Sequence, residues 1–192
     1  MGTADIEIEI PGFADLDIST VCTDYTGTLS LKGELIHGVK QRLRRLAKKV
    51  DIYVITSDTR GTARKQLEKV LPLKGLDGND PDGKKSDAKE YLTLIKPAGS
   101  EAHDIQKKKY LRQIVEQRGI GLQNVAVFGN GRNDRLWLQE VKNRHGLAIA
   151  VDVGEGCAIE AMNNAHIFIS GICNALDLLL DMVRLKSTLR TK

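Results

Sequence analysis

The 192-residue sequence is short of several things that would define other kinds of protein. Aromatic residues make up only 4% of it, too few for the stacking platform on which single-stranded bases are read. There are three cysteines, Cys22, Cys157 and Cys173, widely spaced and set among apolar neighbours. With no C-x-x-C pair and no Cys/His cluster, they outline neither a disulfide framework nor a zinc site, and they read as small core residues. No apolar run approaches the roughly 20 residues that cross a bilayer. The opening segment lacks the basic start and apolar stretch of a signal peptide, so a cytoplasmic protein with no membrane partner is expected. Charge is mixed rather than one-sided: the net +4 comes from basic residues mostly interleaved with acids or spread on helical faces. Only the tail, Arg184, Lys186, Arg190 and Lys192, is basic without acids among it. A solvated surface explains this better than nucleic-acid binding.

What is present is an alternation of short apolar runs with amphipathic stretches. Asp5–Ile10 and Leu16–Ile18, separated by Pro11-Gly12, predict an N-terminal hairpin. Ser19–Thr23 reads as a strand, Leu29–Ile36 as a small flap, and Val39, Leu43, Leu46 and Val50 recur at helical spacing. Strands are predicted at Asp51–Ile55, Glu90–Ile95, Val125–Phe128, Leu147–Val151 and Ile167–Ile169. Helices are predicted at Thr62–Leu71, Ala102–Arg118 (closed by Gly119), Leu136–Lys142, Ile159–Asn163 and Ala175–Arg184. Lys74–Ala88 is polar and Gly/Asp-rich and reads as an exposed loop. This alternation predicts one α/β domain over residues 1–192, with a mainly parallel sheet covered on both faces. In such sheets ligands gather beyond the carboxyl ends of the strands.

Three polar clusters stand directly after apolar strands. Asp24, in Thr23-Asp24-Tyr25-Thr26-Gly27-Thr28, would expose a carboxylate among backbone amides, where it could attack phosphorus. Gly27 would permit the sharp turn. Taken alone, Asp24 reads better as the cap of that turn, since Asp-x-x-Gly turns are common. Thr56-Ser57-Asp58 follows the second strand and offers hydroxyls and an amide to a phosphate oxygen, or a simple helix cap. Gly129-Asn130-Gly131-Arg132-Asn133-Asp134 supplies oxygen ligands suited to Mg²⁺, or a Gly-rich turn. Phosphoryl transfer also needs a cation, and Lys107, Lys108 and Lys109 precede the third cluster.

In that order and placement, these motifs resemble those of the haloacid dehalogenase (HAD) superfamily over nearly the whole chain. Asp24-Tyr25-Thr26-Gly27-Thr28 is similar to the Asp-Lys-Thr-Gly-Thr motif of P-type ATPases, Thr56-Ser57-Asp58 to their Thr-Gly-Asp, and Gly129–Asp134 to their Gly-Asp-Gly-x-Asn-Asp. The soluble P-type ATPase-like proteins are the nearest description. The resemblance implies a HAD-like (Rossmannoid) three-layer sandwich with an N-terminal β-hairpin and a minimal cap or none. It implies Asp24 as nucleophile and Mg²⁺ ligand, the Thr26 carbonyl, Asn130 and Asp134 about the metal, and Thr56 and Lys107 on the phosphoryl group, with Gly27 and Ser57 lining it. The reaction implied is Mg²⁺-dependent phosphohydrolysis or phosphotransfer on a phosphorylated small molecule or protein.

Two departures from the pattern stand out. Thr26 occupies the position at which most phosphatases of the superfamily carry a second aspartate as general acid and base. A threonine cannot shuttle a proton near neutral pH, a loss of about 10²–10⁴ in rate. Asn130 stands where a metal-binding aspartate is usual, which removes one negative charge. The alternative reading is therefore a catalytically weak module that binds phosphate or a partner protein in a regulatory role. An open site would suit a bulky substrate or closure by a second copy of the chain.

Overall fold

The computed structural model describes residues 5–80, 83 and 90–191. Its first element is an antiparallel hairpin, β1 (Ile6–Ile10) and β2 (Ala14–Ile18), turned at Gly12. The chain then enters the central sheet as β3 (Thr20–Thr23) and makes a second small hairpin, β4 (Ser30–Leu31) and β5 (Glu34–Leu35). Lys32 and Gly33 at its tip both have positive φ, 52° and 84°, the conformation that lets a two-residue turn follow the twist of its strands. The rest alternates: α1 (Val39–Leu46), β6 (Asp51–Ile55), α2 (Ala63–Leu67), β7 (Leu73–Lys74), β8 (Leu92–Ile95), α3 (His103–Arg118), β9 (Val125–Gly129), α4 (Arg135–Asn143), β10 (Leu147–Asp152), α5 (Ile159–Asn163), β11 (Ile167–Ser170), α6 (Ile172–Leu180) and α7 (Met182–Leu189).

The seven-stranded sheet is parallel throughout, in the order β11-β10-β9-β3-β6-β8-β7. Period-two alternation in its strands sorts side chains onto two faces. Val21, Ile52, Val54, Ala126, Phe128, Leu147, Ile149 and Val151 join a core with α1 and α6. Cys22, Tyr53, Ile55, Val125, Val127, Ala148 and Ala150 join a second core with α3 and α4, including Trp137. Helices on both faces of a parallel sheet give the three-layer α/β architecture, with the N-terminal hairpin appended. From β3 the chain works outward through β6 and β8, then returns to lay β9, β10 and β11 on the other side. The strand order therefore reverses at β3, and the crevice beyond the carboxyl ends of β3 and β9 is where a ligand is expected.

Most predicted elements are present, with three differences. Thr62–Leu71 is helical only over Ala63–Leu67, because Leu71 precedes Pro72 and is steered away from helical angles. The segment Ala175–Arg184 belongs to two helices, not one. They part at Asp181 (φ −130°, ψ 94°), whose carboxylate accepts from the amides of Val183 and Arg184 and so starts a new helix. Of Lys74–Ala88, Lys74 lies in β7, an edge strand too short to have a sequence signal. The remainder of that segment lies largely outside the described residues. Between β6 and α3 the described chain supplies α2, β7 and β8. No helix among the described residues is long and apolar enough to cross a membrane.

Candidate active site

β3 ends at Thr23, and the Asp24 amide still donates to Phe128 O in β9 at 3.2 Å, so Asp24 is fixed at the tip of a buried strand. The chain then folds on itself. The amides of Thr28, Leu29 and Ser30 and the Ser30 hydroxyl all donate to the Tyr25 carbonyl. Gly27 carries φ 73°, and a Cβ there would lie 2.5 Å from Asn130 Nδ2. Only glycine meets both demands. Thr28 Oγ1 donates to Asn130 Oδ1 at 3.3 Å, tying this turn to the loop after β9. Thr26 is half-buried in the same turn, its backbone bridged to Ser30.

Asp24 is almost fully buried. Its Oδ1 accepts from the Tyr25 amide at 2.6 Å, and its Oδ2 lies 3.0 Å from Lys107 Nζ. Lys107 reaches in from the first turns of α3 and is completely buried. It also donates to Asp134 Oδ1 at 2.6 Å and sits 5.0 Å from the centre of the Trp137 ring. Lys108 and Lys109 instead pair with Glu140 and Glu101. Of the three lysines, the helix turns only Lys107 toward Asp24.

Asp134, the second carboxylate of this triad, is fully buried with every oxygen used. Oδ1 takes Lys107, and Oδ2 accepts from the amides of Asn130 (3.0 Å) and Gly131 (2.9 Å). Gly129 allows this approach, since a Cβ on it would lie 2.5 Å from the Asp134 side chain. Burial pushes the Asp134 carboxyl up to about 6, opposed by Lys107 and reinforced by Asp24. Burial also works against the charge on Lys107, but the two carboxylates outweigh it and hold its pKa above the ordinary lysine value.

Thr56 follows β6, the other neighbour of β3. Its amide donates to Ile95 O, and its buried hydroxyl accepts from the Asp58 amide at 3.1 Å. The Thr56 proton is thus left to be donated elsewhere. Ser57 is half-buried, with its hydroxyl 3.5 Å from that of Thr59. Asp58, which sequence reasoning treats as a cap, does hold the amides of Thr62 and Ala63 ahead of α2. It also binds Lys96, at the end of β8, with Nζ 2.7 Å from Oδ2. No spacing rule singles out Lys96, because its partner is two strands of chain away and met only through the sheet.

Mg²⁺, as the resemblance implies, would find hard oxygen donors here: the Asp24 carboxylate, the Thr26 carbonyl and the Asn130 amide oxygen. Among the described residues no three His, Cys, Asp or Glu side chains converge, and Asp134 is spent on protein donors. The donor set fits a weakly held Mg²⁺ that keeps several waters. Cys22 is buried with its thiol pushed up to about 12 by burial, so it offers no thiolate.

Comparison with solved structures places this architecture. No family model and no curated protein matches the sequence. The 3-deoxy-D-manno-octulosonate 8-phosphate phosphatase of Moraxella catarrhalis, solved with a magnesium ion, a phosphate ion and KDO, superposes with a TM-score of 0.56 at 14% identity, over 85% of this chain and 86% of that one. The cobalt-bound deoxy-D-mannose-octulosonate 8-phosphate phosphatase of Haemophilus influenzae gives 0.57 at 15% identity, over 88% of each chain. A HAD-family hydrolase of Streptomyces avermitilis gives 0.57 at 14% identity, over 84% of each. The chain therefore has the HAD-like fold, as its motifs lead one to expect.

Proposed function

We propose that the protein is a Mg²⁺-dependent phosphohydrolase or phosphotransferase that works through an aspartyl-phosphate on Asp24. The observation that carries this reading is the buried Asp24–Lys107–Asp134 triad at the switch point of the sheet, with the Thr56 hydroxyl on the neighbouring strand. An isolated structural ion triad would gain little by lying where ligands enter. The phosphatases of the same fold, two of them solved with a divalent metal, support the same reading.

In the first step an Asp24 oxygen attacks phosphorus, and the bond to the leaving oxygen breaks with its electron pair. In the second, water attacks the acyl phosphate and regenerates the Asp24 carboxylate with release of phosphate, or another acceptor takes the phosphoryl group. Lys107 orients Asp24 and offsets charge on the transferred group, and Thr56 donates its free proton to a phosphoryl oxygen. Mg²⁺, held by Asp24, the Thr26 carbonyl and Asn130, would supply further electrophilic stabilisation. Asp134 serves to hold Lys107 and the turn after β9. Gly27 and Ser57 shape the phosphate pocket. Thr26 cannot protonate a leaving group, so ordinary phosphomonoesters should turn over slowly and substrates with good leaving groups faster. The proposed location is the cytoplasm and the proposed partner a phosphorylated substrate.

Thr26 and Asn130 favour one other reading, a phosphate-binding regulatory module without turnover. Incubation with Mg²⁺ and acetyl phosphate, followed by intact mass measurement, separates the two. A phosphate adduct on the wild type, absent from Asp24→Asn, is the expected result. Neither adduct nor phosphate release would leave the regulatory reading in its place.

A further inference from the structure

We infer that Lys96, aimed by Asp58, is the cation that receives an anionic leaving group, and that the substrates accordingly carry a second anion, as polyphosphates do. This inference rests on the proposed phosphoryl transfer, and it starts from a deficit in the site. With threonine at position 26 there is no proton for the departing oxygen, so the group must leave as an anion and needs a positive charge near it. The site has little to spare. Lys107 is already divided between two carboxylates, and Asp24, Lys107 and Asp134 together are net negative.

Lys96 is placed to make up that deficit. The Thr56 amide bonds to Ile95 O, which puts Lys96 next to the phosphate-binding strand end. The Asp58 amide bonds to Thr56 Oγ1, and the Asp58 carboxylate takes Lys96 at 2.7 Å. Asp58 thus ties the Thr56 hydroxyl, through its own amide, to the Lys96 ammonium, through its carboxylate. Asp58 is held rigidly for the purpose: its side chain is 2% exposed, its φ is +48°, and its other oxygen accepts two backbone amides. Such a left-handed aspartate is a costly conformation kept by its surroundings. Lys96 itself is 50% exposed. It follows directly on β8 at the carboxyl edge of the sheet, and an ammonium has three N–H groups, more than its one carboxylate partner there can use. Other cations of that edge are committed differently: Arg135 to Asp104, Arg132 to Glu160, while Arg60 lies against Gly33 of the flap. A lysine needed only to neutralise Asp58 would show no preference among substrates.

The test compares tripolyphosphate with 4-nitrophenyl phosphate, whose leaving group carries no second anion before transfer. In Lys96→Gln the ratio of kcat/KM for the two substrates should fall at least tenfold. It should fall less in Asp58→Asn, which keeps the backbone contacts but frees the lysine, and recover in Lys96→Arg. A ratio within twofold of wild type in Lys96→Gln overturns the inference while Asp24-dependent turnover still supports the proposed reaction. If the wild type turns over neither substrate, the acetyl phosphate experiment alone judges the proposed reaction, and calorimetric titration of tripolyphosphate against inorganic phosphate in the Asp24→Asn background judges the inference. A tenfold loss of tripolyphosphate affinity on adding Lys96→Gln, with phosphate affected less, upholds the site; equal losses or none remove it.

Discussion

Replacing Lys107 by Met should make the stability of this protein fall more steeply with rising pH than that of the wild type. The substitution keeps the length of the stem and its packing beside Trp137 but deletes the only charge between Asp24 and Asp134, whose oxygens both touch Nζ. Breaking a buried ion pair by removing one partner costs about 3–5 kcal/mol. The repulsion left between two carboxylates roughly 5 Å apart is of the same order, about 3 kcal/mol at an effective dielectric constant of ~20. That repulsion ends when one carboxyl takes up a proton. Burial already lifts Asp134 to about 6 with the lysine present; without it the pair must hold its first proton more tightly still. The folded pKa is then raised above the unfolded value, so the variant is most stable at low pH and loses stability as pH rises through the raised pKa, by about 1.4 kcal/mol per pH unit for one proton. The deficit against wild type should therefore be about 3–5 kcal/mol at pH 8 and smaller by about 2 kcal/mol at pH 5.5. Urea denaturation followed by circular dichroism, and by fluorescence of the single tryptophan, measures it at both values. Adding Asp134→Asn, whose oxygen can still accept the amides of Asn130 and Gly131, should restore most of the loss at pH 8. A deficit that is below about 1 kcal/mol, or the same at both pH values, would refute the argument that Lys107 neutralises a buried carboxylate pair.

Three further outcomes are expected. Thr26→Asp restores a carboxyl at the proton-transfer position, and steady-state assays should show turnover of poor leaving groups rising by about 10²-fold; no rise would mean that proton supply does not limit the reaction. Asn130→Asp adds a charge to a donor set with one carboxylate while Thr28 can still donate to it, so Mg²⁺ should bind about tenfold more tightly by calorimetry. His166 accepts from the Ala148 amide, and burial, helped by Lys142 and His145, lowers its pKa from 6.5 to about 4. Its contribution is fully present above pH 6.5 and is lost as pH falls from there to 4; His166 is partly exposed, so about 1–2 kcal/mol more should be lost by wild type than by His166→Gln over that range in thermal melts.

The fold was legible because its strands are short, β-branched and bounded by Gly and polar clusters, and because those clusters fall at strand ends. Asp24, Thr56 and Asp134 could be picked out for that reason. Lys107 could be favoured over Lys108 and Lys109 through the resemblance and its spacing from Gly119, but which of them turns inward depends on the phase of α3 relative to the sheet. The spending of Asp134 on Lys107 and two amides was hidden, since it follows from how the turn after Gly129 folds back. The break at Asp181 escaped because Leu176–Leu185 keeps a helical period across it. Lys96 and Asp58 meet only through the β6–β8 pairing, a relation between segments that contains no signal in either one.

Strand β9 carries a consequence for how the chain is made. β3, the strand that bears Asp24, pairs on one side with β6, which follows it closely, and on the other with β9, which is about a hundred residues downstream. While the chain emerges from the ribosome, the first half can assemble β3, β6 and β8, but one edge of the central strand stays open until Val125–Gly129 arrives. An open apolar edge of this kind invites pairing with another nascent chain. Truncations ending before Val125 should consequently aggregate, whereas those that reach Asp152 supply both β9 and β10 and close the centre of the sheet. Asp24 thus gains its second flanking strand only at the point where the centre of the sheet ceases to be a template for neighbouring chains.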